Sequence, residues 1–397
     1  MSDLLDKLLT STTSDPVKQQ AARWVREIGV PTLKTERWKY TSTRFLEKKT
    51  FSNEPVNEPA EDDFILPHSV KLSFVNGVFS NKALPSGVTV ERYKLNEQDA
   101  GLYKENNDMF ACLNVAESDQ VWRVTVSSDQ TIMLANTVTS SYGGIAHPCV
   151  FFDIKPGVTV TLYDIHYDEG SGLVNLLQNI VIGYRARCDH FIYKDNYESA
   201  VIQRCDVTVH DGATYNCYAL DGGGRLNKQD INVRLVEQNA SCAIHGSAVM
   251  GDKDHSDWRT HILHEHPHTN STETFRILAD HTGTGCFNGK IYISRGSDDS
   301  HSSLNTGNLL VGNNSRVNIK PELEIYAEEV TASHGATVGQ LDNESMFYLR
   351  SRGIPESEAS SLLKYAFLAE PIEQIENSNT REIFLKLLQE ECEALEL

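Results

Sequence analysis

From about residue 120 to residue 340 the chain repeats itself. An apolar strand, a short turn and a second strand recur. The turns in "KPGVTV", "YRARCD", "HDGATY" and "EQNASC" align on Gly157, Arg185, Gly212 and Asn239, with spacings of 28, 27 and 27 residues. The runs between them, such as "VTVTLYDI", "CDVTVH" and "INVRLV", alternate and are rich in β-branched residues, with few windows of helical period. One coil of this size cannot bury its inward side chains alone. The coils must therefore stack, which predicts a mainly β chain built on a parallel β-helix. A β-sandwich is the other candidate, but its turns recur about every 8–12 residues without a longer register above them. Later turn markers are expected near Gly283, Asn314 and Gly335, at less regular intervals.

The flanks read differently. Residues 1–66 form a helical segment: Asp15 suits an N-cap, Pro16 the first turn and Gly29 the stop, with Val17, Ala21, Trp24 and Ile28 on one stripe. Residues 52–67, rich in proline and acid, read as a connection. Residues 67–119 hold a strand pair around the Asn76-Gly77 turn and helix within 97–117. The β-helix core is assigned to 120–341 and a second helical domain to 342–397, where Asp342 caps one helix, Gly353 ends it and Pro355 opens the next. These last helices are expected to cap the solenoid, since an exposed final coil invites edge pairing.

Composition removes several function classes. A net charge of −19 argues against nucleic acid as the main partner, because phosphate binding needs a basic face. No apolar run reaches the roughly 18 residues that span a bilayer, so no membrane insertion is expected. The N-terminus lacks the apolar core of a signal peptide. Eight scattered cysteines form no C-x-x-C pair, which suits a cytoplasmic chain with reduced thiols.

Three motifs imitate enzymes. His266, His268 and Glu273, within the His-rich 261–273 segment, have the ligand spacing of a cupin-like metalloenzyme. Thr260 and Asp280 stand where that motif carries glycine. "GTGCFNGKI" resembles a phosphate loop, but its spacing is wrong and Ile291 replaces the magnesium-holding hydroxyl; glycines in β-helix turns explain it better. A carbohydrate-active β-helix enzyme needs paired carboxylates on one face, whereas Asp298 and Asp299 are adjacent and suit a polar loop.

Two longer stretches carry a resemblance. "KPELEIYAEEVTASHGATVGQLDNESMFYLRSRGIPESEASSLLKYAF", 320–367, is similar to the signature end of the SufB/SufD family of iron–sulfur cluster assembly scaffolds. "PTLKTERWKYTSTRFLEKKTF", 31–51, resembles the family's E-x-W-K-Y element, and the "SRGIP" junction looks more like SufD than SufB. The resemblance implies a right-handed parallel β-helix between helical domains and a scaffold that is not an enzyme. It also implies pairing with a SufB-like chain through the last β-helix strands, and docking of a SufC-like ABC-type ATPase on the C-terminal helices.

In that family the S-H-G motif places a histidine at the SufB–SufD junction, which makes His334 the candidate cluster ligand here. Imidazole can replace thiolate on iron and raises the reduction potential, easing cluster release. Many relatives have Cys-Ser-His-Gly, whereas this chain has Ala332-Ser333-His334-Gly335. The expectation is a transient iron–sulfur cluster in the complex, with none held stably by this chain alone. Without a partner, the strand around 323–332 should pair with its copy in a homodimer.

Overall fold

In the computed structural model, which describes residues 2–52, 69–81, 83–196 and 198–395, two long sheets face each other across a shared interior. Each coil gives one strand to each sheet. Thr159–Asp168, Arg187–Asn196 and Thr214–Asp221 stack in parallel in one; Leu173–Ile182, Ala200–Val209 and Leu226–Leu235 do so in the other. The result is a parallel β-solenoid of about seven turns with helices on both flanks. The connection read at 52–67 lies, from residue 53, outside the described residues.

The turn series is real but continues elsewhere. Gly157, Arg185, Gly212 and Asn239 share one corner and all have positive φ (73°, 52°, 61° and 59°). The same corner is next turned by His268 (φ 59°) and Asp299 (φ 54°). Gly283 and Asn314 belong to the opposite corner, and Gly335 lies inside the strand Val330–Gly339. Two physical facts broke the frame. Coils lengthen toward the end, so that Arg187 stacks on Thr159 but Val330 on Ser300. And a histidine and an aspartate, which tolerate the left-handed region better than most residues, take turns that glycine, arginine and asparagine took before. The stretch 323–332 is likewise not one strand: Arg316–Ile325 ends there, Tyr326–Glu329 turn, and Val330–Gly339 begins.

The glycines of "GTGCFNGKI" are mostly not turn glycines. Gly285 and Gly289 sit within the strand Thr284–Ile293, facing the interior. A Cβ would come within 2.5 Å of Ile277 Cγ2 at the first and 2.3 Å of Leu304 Cδ1 at the second. They are absences of side chain in a tightly packed core.

The interior also carries an ionised crossbar. In Thr159–Asp168, Asp164 points inward in phase with Val160 and Leu162. Its carboxylate accepts from Asn136 Nδ2 (2.8 Å), Gln178 Nε2 (2.9 Å) and Gln203 Nε2 (2.9 Å). His166 Nε2 lies 3.1 Å away, and His190, 3.7 Å away, shares a 2.9 Å hydrogen bond with the Tyr215 hydroxyl. Burial alone would raise this carboxyl, but the two imidazoles outweigh it and hold Asp164 well below the ordinary range.

The N-terminal helix Pro16–Ile28 is capped by Asp15, whose Oδ1 accepts from Val17 N at 2.9 Å, and is stopped at Gly29 (φ 73°). Residues 97–117 split into Glu97–Glu105 and Met109–Glu117. These helices lie on the outer face of one sheet, and the E-R-W-K-Y element plugs them to it. Arg37 reaches Asp230 at 2.6 Å, and buried Trp38 stacks on Phe110 at 5.0 Å. Thr41 Oγ1 donates to Asp257 at 2.5 Å. Beneath the Trp38 ring, Lys228 joins Asp230 (2.9 Å) and Asp257 (3.3 Å). Glu36 pairs with Lys320, which belongs to the last coil.

The C-terminal helices do not cap the solenoid end as expected. Glu356–Ile372 and Ser378–Ala394 pack along the outer face of the other sheet. Leu368, Ile372, Phe384 and Leu388 bury there against Tyr163, Phe191, Tyr218 and Leu278. That face is apolar because Phe191 and Tyr193 alternate outward on a strand whose inward residues are already buried, so it needs its own cover. Among the described residues no helix covers the final coil.

Candidate functional site at the open end of the solenoid

Arg316–Ile325 and Val330–Gly339 are the last strands of their sheets; each pairs on one side only. Among the described residues nothing pairs with their outer edges. His334 sits in the middle of Val330–Gly339, not where the β region stops.

The register fixes the direction of its side chain. His334 stacks on Leu304, Leu304 on Glu273, Glu273 on Ile244, Ile244 on Cys217 and Cys217 on His190. Leu304, Ile244 and Cys217 are interior residues, so His334 continues an interior column. Val330 and Ala332, on the same face, pack against the core. With no coil above it, the imidazole is exposed. Gly335 faces the other way, with Asn305 Nδ2 at 3.6 Å from where a Cβ would stand. Its small size leaves room on the outer face, and none beside the imidazole.

Two coils below, Glu273 is buried at 1% exposure, with the Thr260 hydroxyl as the polar group that acts on its carboxyl. Burial pushes its carboxyl up to about 8, so it is held neutral. Its place among interior residues ends the cupin reading. His266 and His268 lie in the turn after His255–His264, both exposed, with His268 facing Asp299 at 3.7 Å. Neither meets the buried Glu273. His264 is instead a satisfied core histidine, bonded to Thr269 (2.8 Å) and Ser271 (2.9 Å). Asp298 and Asp299 occupy a turn as expected, where Asp298 accepts from Glu328 N at 3.0 Å.

The thiols lie away from this end. All eight cysteines are buried, and the last coil contains none. Burial pushes the Cys217 thiol up to about 12 and that of Cys392 to about 11. A cysteine ligates iron as the thiolate, and burial holds these sulfurs in the thiol form. Among the described residues no group of three His, Cys, Asp or Glu side chains could hold a metal ion. The end of the solenoid therefore offers one imidazole and two free strand edges: an incomplete site.

Sequence reasoning named His334 as a candidate and did not reach the Asp164 crossbar or the purpose of the E-R-W-K-Y element. The first left a trace, since Asp164, His166 and Asp168 fall in phase with the apolar residues of "VTVTLYDIHYD".

Among the described residues no helix is long and apolar enough to cross a membrane. The family model described as SUF system FeS cluster assembly, SufBD core domain, matches residues 137–367. The iron–sulfur cluster assembly protein SufD of Escherichia coli is 27% identical over 94% of this chain and 91% of its own length. An iron–sulfur cluster assembly SufBD family protein of Synechocystis is 25% identical over 94% and 90%. A chloroplastic protein of Arabidopsis thaliana, ABCI7, is 22% identical over 92% and 83%. The match of the core-domain model, which covers more than half of the chain, places this protein in the SufBD family of the SUF iron–sulfur cluster assembly system.

Proposed function

We propose that this chain is a SufD-like scaffold subunit of a cytoplasmic SufBCD-type complex, with no catalytic activity of its own. The observation that carries this reading is the uncapped last coil with His334 at its mouth. A SufB-like chain would add its own strands to the two free edges, completing the sheets and covering the apolar column below. The cluster is cargo, and His334 supplies it one imidazole. The sulfur ligands come from the partner, because Ala332 stands where many relatives have cysteine and every thiol of this chain is buried. Alone, the same edges pair with a second copy to give a two-fold homodimer.

The test is reconstitution of wild-type and His334→Ala complexes side by side. Because the imidazole is exposed, the substitution is expected to change unfolding free energy by less than about 0.5 kcal/mol. Light scattering of the isolated chain should still return a dimer. Iron and sulfide per folded complex should fall, with partial recovery in His334→Cys. Equal iron and sulfide in wild type and alanine variant would remove the ligand role.

The ATPase dock is the helix Asn343–Ser351. It buries none of its residues in the chain, and Phe347 (75% exposed) and Tyr348 (57% exposed) line a groove completed by Leu363 of Glu356–Ile372. Large apolar side chains left in water on one helix mark a contact surface. Phe347→Ala with Tyr348→Ala should abolish co-purification of an ABC-type ATPase while a SufB-like chain is retained. Undiminished ATPase recovery would place docking elsewhere.

A further inference from the structure

We propose that the last turn of the helix Ser378–Ala394 is a pH-operated latch on the flank of the solenoid, closed by a neutral Glu391 carboxyl and loosened by the carboxylate. The seat is shaped for it. Glu391 Oε1 accepts from the Tyr193 hydroxyl at 2.7 Å. The carboxyl lies over Gly222, where a Cβ would stand 2.4 Å from it, and Leu395 lies over Gly251 at the same 2.4 Å. Two side-chain-free positions thus admit the helix end to the sheet.

The charges around the seat are of one sign. Asp195 comes from Arg187–Asn196, Asp221 ends Thr214–Asp221, and Asp254 precedes His255–His264. Glu390 is adjacent, the last helical turn holds no basic residue, and the helix dipole adds negative potential there. Three nearby cations are engaged elsewhere. Lys194 points into the interior and donates to Gln229 at 2.7 Å. Lys386 pairs with Glu390 at 3.5 Å, and Lys253 with Asp252 at 3.2 Å. Two more cations lie at the edge of the seat: Arg225, 3.9 Å from Glu198, also acts on Asp254, and Lys364 of the neighbouring helix acts on Cys392.

Burial first, and then these aspartates, push Glu391 up to about 7 against the opposing Tyr193 bond; burial raises Asp195 and Asp254 as well. A carboxyl raised in the docked state binds its proton more tightly there than when the helix end is free. Docking is therefore strongest in mild acid, weakens as pH climbs from the free-carboxyl range, and levels off above about 7.

Hydrogen exchange of the full chain at pH 6 and pH 8, corrected for intrinsic rates, reads the latch directly. Protection of amides 386–395 should fall about tenfold between the two, as expected for a carboxyl moved from 4.5 to about 7. Amides 356–372 should not follow. Glu391→Gln keeps an acceptor for Tyr193 and should erase the pH step. Gly222→Ala puts a methyl group into the seat and should lower protection at both pH values. The proposal fails if wild type shows no step, if Glu391→Gln retains it, or if Gly222→Ala leaves protection unchanged.

Discussion

Replacing Asp164 by alanine should lower the unfolding free energy by about 3–5 kcal/mol, the range for removing one partner of a buried charged network. The side chain is fully buried, and its carboxylate is the common acceptor for three amides contributed by three strands of both sheets. Alanine leaves the Asn136 and Gln178 amides without this acceptor, and Gln203 with only the Gln178 carbonyl oxygen at 2.9 Å, in an interior where water cannot replace the carboxylate. Asp164→Asn should cost less, since one acceptor oxygen remains, but its amide group then faces other donors. Urea unfolding followed by circular dichroism gives both values. A loss below about 1 kcal/mol for alanine would show that the crossbar is not a stabilising element.

Lys228→Ala should be nearly as damaging, by about 3 kcal/mol or more, for a different reason. Lys228 is 2% exposed and is shared by Asp230 and Asp257 under the Trp38 ring. Asp230 keeps Arg37, but Asp257 is left buried with only hydrogen bonds. Burial works to raise Asp230, and Lys228 and Arg37 more than offset it, so its carboxyl lies well below the ordinary range. A carboxyl depressed in the folded state contributes stability above its unfolded value, near 4, and loses it only in stronger acid. The difference between wild type and variant should thus be full at neutral pH and narrow well below pH 4. Lys228→Met combined with Asp257→Asn removes both charges and should recover part of the loss. If it recovers nothing, packing rather than charge explains the effect. Limited proteolysis should cut first within residues 1–50 of the alanine variant, because this pair fastens that segment to the sheet.

The fold was legible where physics is local. Period-2 alternation and four turns of nearly constant spacing were enough for a solenoid, and Asp15, Gly29, Asn76-Gly77 and Asp342 marked element ends through their own backbone chemistry. The series was lost after Asn239 because coil length drifts and a histidine can turn a corner. The direction of the C-terminal helices was not legible either. It depends on an apolar outer face made by Tyr163, Phe191 and Tyr218, which become neighbours only after the coils stack. His334 could be named as a candidate from the sequence, while its inward direction required the register with Leu304. Arg37 and Asp230 are 193 residues apart, and no spacing rule reaches that far.

The open last coil has one further consequence. A stack of coils behaves as a one-dimensional chain in which each unit is stabilised by the interfaces on its two sides. The last unit has only one such interface, so in the isolated chain it is the place where the array frays. A partner that stacks on it converts an end unit into an interior one. Part of the association energy is then spent on ordering Arg316–Gly339, and the resistance of this end to local opening becomes a function of partner concentration. Under the proposed pairing, the mouth around His334 would be completed, and made rigid, only when a second chain continues the array.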